Sequence, residues 1–290
     1  MTGNWGRWGA DDEIGALNLV DSAATLRAVT LVHQGVSVSL AQPLGPDTPV
    51  PPHRGAPQRF MNRDAGDYAL GARSPGGFRF AEDTVQLSVH SGTHVDALAH
   101  AWSGETLYNG HPQAGTRSTR GAQRVGADKL RPIVTRGVLL DCTQGGGPLE
   151  ASEPIGADRL AALSREAGVD IEPGDAVLVR TGWWESRGES TQYFADEPGI
   201  TDDAAHWLAE HDVALVGADN YAVEVQEGAS GFPVHLTLLH QHGIALLENL
   251  VLDYLAGRLR AESRSVFMFV FAPVPLVGST AAPLNPLAVL

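Results

Sequence analysis

The sequence is poor in the residues that most often announce a special class of protein. Its 290 residues include a single cysteine, Cys142. No intrachain disulfide can form, which is the cysteine usage expected in a reducing compartment. There is also a single lysine, Lys129, and no dense stripe of Lys and Arg. With 34 acidic against 20 basic residues and a net charge of −14, the chain offers no footprint for a phosphate backbone. Nucleic acid is therefore excluded as an expected partner. Long apolar runs are missing too. The most apolar segment, SVFMFVFAPVPLV near the C-terminus, is too short and too broken by proline to span a bilayer. The opening MTGNWGRWGADDEIG lacks the apolar core of a signal peptide. These absences lead to the expectation of a soluble, cytoplasmic protein with no membrane partner.

What is present is the composition of a folded enzyme, 43% hydrophobic and 19% charged. A chain of this length can bury roughly three quarters of its surface. No repeat or flexible linker divides it, so one domain over residues 1–290 is expected. Residues 1–20, with Trp5 and Trp8 among glycines, read as an ordered arm. Asp21 caps a helix over SAATLRAVTLVHQG, and VSVSLAQ alternates as a strand. Residues 43–80 are rich in Pro, Gly and Arg and read as an irregular loop or lid, with Phe60, Met61, Tyr68, Phe78 and Phe80 as candidate pocket walls. TVQLSVH (84–90) reads as a strand with Val85, Leu87 and Val89 towards the core and His90 on the polar face. Further on, apolar runs of four to eight residues alternate with helical stretches: IVTRGVLLD, a helix near 157–167, AVLVRTG, a helix near 202–211, VALVGAD, then helical and extended pieces to SVFMFVFAPV. This pattern predicts an α/β fold, a mixed sheet with flanking helices on both faces.

The most informative stretch is HSGTHVDALAH, residues 90–100. It places His90, His94, Asp96 and His100 within eleven residues. On a helix His90 and His94 share a face, but Asp96 points away. On an extended strand all three share a face, yet the two histidine Cα atoms lie roughly 13 Å apart, too far for joint coordination. The chain must bend between them, and Gly92 permits a bend without a Cβ penalty. Ser91 and Thr93 are candidates for hydrogen bonds within that turn. Two imidazoles and a carboxylate suit a divalent transition metal and leave coordination positions open for water and substrate. A polar loop with satisfied histidines is the alternative.

HSGTHVDALAH resembles the signature of the metal-dependent cyclase/amidohydrolase family that includes bacterial kynurenine formamidase and isatin hydrolase. The later FPVHLTLLHQHGIALLENL, residues 232–250, resembles that family's second segment, and WGRWGADDEIGALNLV and RGVLLD resemble its longer branch. The resemblance implies a swivelling β/β/α fold and metal ligation by His90, His94 and Asp96. It also implies one or two ions, Zn2+ or Mn2+, with His235 and Glu248 as further ligands or as their supports, and His100 as the proton acceptor and donor. Short-type formamidases carry a proline where this chain has Leu98, which leaves the substrate open.

A bound divalent ion lowers the pKa of water towards neutrality and polarises a carbonyl, and a histidine can shuttle the proton. The expected activity is hydrolysis of an amide, a cyclic amide or imide, or an ester in a small aromatic or cyclic carbonyl compound. A lyase or cyclase using the same ion without net hydrolysis is the alternative, and a binding protein with a closed coordination sphere is a third reading. Candidate substrate contacts are Phe60, Trp102, Trp183 and Trp184, and the strand-end residues Asn220 and Glu224 in GADNYAVE. Cys142 is expected in the core, and no G-x-S-x-G nucleophile competes with the metal scheme. A homo-oligomer is expected, with the tryptophan-bearing arm a candidate for packing on a neighbouring subunit.

Overall fold

The computed structural model describes residues 3–188, 190–226 and 231–290. Its centre is a nine-stranded mixed sheet. Four strands, Ile133–Asp141, Ala176–Arg180, Leu215–Ala218 and Ala245–Glu248, run parallel in that order. Beyond Ala245–Glu248 the sheet continues antiparallel through His94–Asp96 to Ala281–Pro283. On the other side, Val266–Phe271, Leu287–Val289 and Ser37–Ser39 add antiparallel strands to Ile133–Asp141.

The continuous apolar runs are explained by what each side of the strands meets. Val138, Leu140, Val177, Val179 and Val216 pack into a core on one face. The intervening Leu139, Leu178 and Leu215, with Leu247, Phe267 and Phe269, pack into a second core on the other. Because successive side chains point to opposite faces, a strand covered on both sides must be apolar at every position. Helices Ala157–Glu166 and Asp202–Glu210 cover the first face through Leu160, Leu163, Ala204, Ala205 and Leu208. Helices Ser22–Val29 and Asp253–Ala261 cover the second through Ala24, Leu255, Ala256 and Leu259. Each fully buried leucine contributes about 1.5–3 kcal/mol relative to exposure.

Three local expectations differ from the structure. The first helix is capped by Asp21 as expected, its carboxylate accepting from the Ala24 N–H at 2.7 Å, but it ends at Val29. The β-branched Val29, Thr30 and Val32 lose side-chain freedom in a helix, and the following residues turn instead. The segment 43–80 is less irregular than its composition implies, for it contains strand Gln58–Arg63 and the short helix Ala65–Ala69.

The third difference concerns the approach to His90. Strand Glu82–Gln86 pairs with Gln58–Arg63 in a hairpin separate from the main sheet and exposed along its length. Val85 is 55% exposed and faces no core. The strand stops at Gln86, and His90 lies in a turn rather than on a strand's polar face. Alternation alone cannot tell a strand that has a core to cover from one that stands in solvent.

The arm packs on its own chain. The Asn4 N–H donates to the Gln241 carbonyl at 3.0 Å, the Trp5 indole to the His240 carbonyl at 2.7 Å, and the Ala16 N–H to the Gly243 carbonyl at 2.8 Å. These contacts give the arm a role that needs no neighbouring subunit. Among the described residues no helix is long and apolar enough to cross a membrane.

Candidate metal centre

Two strands, one helical turn and the turns on either side of strand His94–Asp96 deliver the candidate ligands to one place. His94 and Asp96 stand two residues apart on strand His94–Asp96 and so share a face. In register across the ladder, Glu248 lies opposite His94, which puts its carboxylate beside that imidazole. His235 comes from the helical turn Pro233–His235, which runs directly into a π-helical stretch, Leu236–His242. Turn and stretch together pack on the same face through Val234, Leu238 and Leu239. His90 is brought back over the strand by the turn at Gly92, whose φ of +59° is left-handed as the spacing required. A Cβ at Gly92 would also lie 2.4 Å from the Leu44 side chain. His100 follows from a turn closed by its N–H on the Ala97 carbonyl at 2.9 Å.

Asp96 is the hub. Its Oδ1 lies 2.8 Å from His90 Nδ1 and 3.5 Å from His94 Nε2, while its Oδ2 lies 3.6 Å from both His100 Nε2 and His235 Nε2. Glu248 repeats the arrangement, with Oε2 3.2 Å from His94 Nε2 and Oε1 3.3 Å from His235 Nε2. Two groups with metal-ligand spacing result: His90, His94 and Asp96, then Asp96, His100 and His235.

The outer ring nitrogens are occupied, and that orients the inner ones. His94 Nδ1 is 2.9 Å from the Gly92 carbonyl, so it donates there and leaves Nε2 bare. His235 Nδ1 is 2.5 Å from Glu224 Oε1, and His90 Nε2 is 3.3 Å from the Thr280 hydroxyl. Such partners set the tautomer and raise the basicity of a ligating imidazole.

The residues fit a divalent ion. His90 Nδ1, His94 Nε2 and both oxygens of Asp96 are buried and make no hydrogen bond. Buried polar atoms are rarely left without a partner, and four of them converging here call for a cation. Electrostatics agree. Burial opposes charge on His94, yet the nearby Asp96 and Glu248 carboxylates prevail and raise its pKa to about 10. His235 is raised well above its ordinary value in the same way. Burial works against the charged form of Asp96, but the surrounding imidazoles hold its pKa well below the usual range. The two carboxylates favour positive charge at the centre of the cluster. His100 is the exception: burial first, then the neighbouring His90 and His235, lower it to about 4 against the pull of Asp96.

A cavity of about 350 Å3 opens on this cluster, with His100, His235 and Glu248 on its floor. Its walls are His53, Arg54, Tyr221 and Phe232, with Ala101 and Ala222 filling in between. A larger cavity of about 710 Å3 lies between residues 43–52 and the Trp184–Phe194 region, and no candidate ligand lines it.

The expected substrate contacts are elsewhere. Phe60 lies on the exposed hairpin, and the Trp102 indole donates to Gln113 Oε1 at 2.8 Å. Trp183 is buried, its indole donating to the Tyr193 carbonyl at 3.0 Å. The Asn220 amide is consumed by the Pro198 carbonyl and the Val223 N–H, so it braces its own loop. Glu224 stands behind His235 rather than in the cavity, and Trp184 lines the larger cavity. Thr93 does not close the turn at Gly92 either. Its hydroxyl donates to the Asn249 carbonyl at 2.6 Å and accepts from the Gln42 N–H at 2.8 Å, joining three segments. The Ser91 hydroxyl is buried and makes no hydrogen bond among the described residues. Cys142 is buried as expected, and burial pushes its thiol up to about 12, away from nucleophilic use.

Arg54, Tyr221 and Phe232 were not singled out as residues, although each falls in a segment that was: Arg54, with His53, in the expected binding loop, Tyr221 in GADNYAVE and Phe232 at the start of FPVHLTLLHQHGIALLENL.

The sequence pattern of the putative cyclase family matches residues 38–225. The chain belongs to the cyclase family. Isatin hydrolase of Roseibium aggregatum is 29% identical over 228 residues, covering 73% of this chain and 75% of that protein. Kynurenine formamidase of Polaromonas naphthalenivorans is 30% identical over 169 residues, covering 58% of this chain and 60% of that one. The crystal structure of a novel cyclase superposes with a TM-score of 0.94 at 34% identity, covering 99% of both chains. Isatin hydrolase A from Labrenzia aggregata bound to benzyl benzoate shares the fold, with a TM-score of 0.66 at 24% identity over 92% of this chain and 98% of that one. Both of the cyclase family's expected ligand segments, 90–100 and 232–250, thus meet at one centre in this chain. The mixed α/β architecture is that of its solved cyclase-family relative.

Proposed function

We propose that the protein is a metal-dependent hydrolase that opens an amide, a cyclic amide or imide, or an ester bond in a small aromatic or cyclic carbonyl compound. The observation that carries this reading is the convergence of four buried, unpaired ligand atoms from His90, His94 and Asp96 beneath a cavity floored by His100, His235 and Glu248. Kinship to proteins named isatin hydrolase and kynurenine formamidase supports a C–N bond as the target.

His90, His94 and Asp96 would hold one ion, and Asp96, with His235 and Glu248, would offer a place for a second. Imidazole and carboxylate donors suit Zn2+ or Mn2+. When bound, a divalent ion activates water and polarises a carbonyl oxygen. The chain's own residues do the rest. His100 has the most exposed side chain of the six, at 29%, and stands on the cavity floor. Burial lowers its pKa to about 4, which leaves it neutral at physiological pH and able to accept a proton from water and return it to the departing nitrogen. Glu224 keeps the His235 Nδ1 proton in place, and Tyr221 and Phe232 flank the space for an apolar frame.

The test joins metal analysis to a substrate screen of formamides, cyclic imides, isatin and lactones. Purified protein is expected to carry about one or two equivalents of divalent metal and to lose activity on chelation. Full activity in excess chelator with no bound ion would remove the assignment. Incorporation of oxygen from labelled water into product is expected; turnover without it would instead indicate the lyase or cyclase chemistry.

A further inference from the structure

Among the described residues, Arg54 is the one arginine in the wall of the cavity above the metal centre. It sits in a proline-rich turn, VPPHRGAP, closed by its own N–H on the Pro51 carbonyl at 2.9 Å. Pro51 and Pro57 are buried. Proline restricts the chain before folding, so this turn is stiff. One N–H of the guanidinium, on Nη1, donates to the His90 carbonyl at 2.6 Å. The guanidinium carbon lies 5.4 Å from the centre of the Tyr221 ring, within cation–π range. Tyr221 is itself anchored, its N–H donating to Glu197 Oε2 at 2.6 Å and its ring meeting Phe194 edge-on at 5.1 Å.

These contacts leave most of the guanidinium unspent. Arg has five N–H donors, and the hydrogen bond to His90 uses one. Two other arginines in this acidic protein are committed to carboxylates, the half-buried Arg136 to Asp175 and the buried Arg180 to Asp141 and Glu185, and Arg131 donates to the Leu17 and Val20 carbonyls. Among the described residues Arg54 makes no ion pair. A cation held in a fixed place at a cavity wall, with donors free in its plane, suits a carboxylate bound through two parallel hydrogen bonds. The apolar side of the site is supplied by Tyr221 and Phe232, and a volume of about 350 Å3 matches a compact ring system.

We propose that Arg54 is the specificity-determining residue of this site and that the substrate carries a carboxylate besides the carbonyl group that reacts, on an aromatic or cyclic frame. The guanidinium holds that carboxylate while the metal centre engages the reacting end. This proposal rests on the hydrolase reading, in that the second anchor is the metal.

The test uses metal-loaded protein and binding rather than turnover, so its outcome is separate from that of the hydrolase assay. Benzoate offers one carboxylate, which the metal centre can take; phthalate, isophthalate and terephthalate offer a second at three spacings. At least one benzenedicarboxylate is expected to bind about tenfold or more tightly than benzoate, the scale of a charge-assisted pair. Arg54→Gln is expected to abolish that preference, and Arg54→Lys to restore part of it. Metal content is measured alongside. The proposal fails if wild-type protein shows no preference for a second carboxylate, or if the preference survives in Arg54→Gln. It fails equally if Arg54→Gln weakens benzoate and dicarboxylates in step while losing metal, because Arg54 would then serve only to hold the His90 carbonyl.

Discussion

At the scale of single residues the centre depends on side chains that never touch the substrate. Glu224 is 1% exposed and accepts from the Val234 and His235 N–H groups as well as from His235 Nδ1. It fixes both the turn and the tautomer. Glu224→Gln keeps an acceptor but removes the charge that raises the basicity of His235. Metal affinity is expected to fall by about 10–100-fold, read by competition against a chelator of known affinity, and unchanged affinity would free Glu224 of this role. His100→Ala separates ligand from proton carrier. It is expected to retain metal and lose turnover by about 10²–10⁴-fold; loss of metal from a folded variant would make His100 a ligand. His90, His94, Asp96 and His100 were legible because eleven consecutive residues contain all four. Glu224 was noticed for its strand-end position, but its partner could not be read, because the loop's fold decides which way a side chain points.

At the scale of elements the centre is held by one turn and one register. Gly92 turns the chain at φ +59°, and the Leu44 side chain closes over the space where a Cβ would go. Gly92→Ala must adopt a left-handed backbone, at about 1–2 kcal/mol, and displace the end of Leu44. The expected outcome is a loss of roughly that size in urea unfolding, together with weaker metal binding because His90 is carried by this turn. Unchanged stability and affinity would show that the turn accepts a side chain. The register Glu248↔His94 does the complementary work, since a slip by one residue would send Glu248 to the other face of the sheet. The π-helical stretch after His235 ends at Gly243, the glycine on which the arm closes. The hairpin 58–63/82–86 shows the limit of pattern reading. Alternation over 84–90 was visible in the sequence, but neither the partner strand 58–63 nor the lack of a core behind the pair was.

At the scale of the whole molecule, Asp219 is a buried carboxyl outside the cluster whose ionisation bears on stability. Asp219 accepts from the Thr181 N–H and hydroxyl at 2.7 and 2.6 Å and from the Gly182 N–H at 2.8 Å. Burial outweighs these bonds and raises its pKa from 3.8 to about 6. An acid raised in the folded state adds stability that is fully present below its unfolded pKa and is lost as pH rises through the folded one. Between pH 3.8 and about 6 the shift of roughly two pH units corresponds to about 3 kcal/mol. Asp219→Asn cannot titrate there. Wild-type protein is expected to lose stability relative to this variant across that window in unfolding titrations, and parallel curves would contradict it.

The sequence alone determined the sheet's central strands, because a stretch covered on both faces must be apolar at successive positions, as in the VLL of IVTRGVLLD and the AVLV of AVLVRTG. It also determined the donor set of the first ligand group, because a metal needs particular atoms and a glycine between them if neighbours are to converge. Tertiary structure decided the rest. It set Glu248 against His94 through strand register, brought His235 over Asp96 by packing a helical segment on one face, and placed Arg54, Tyr221 and Phe232 around the opening. Those meetings join residues far apart in the chain, and local spacing holds no information about them: they follow from which faces must be buried together.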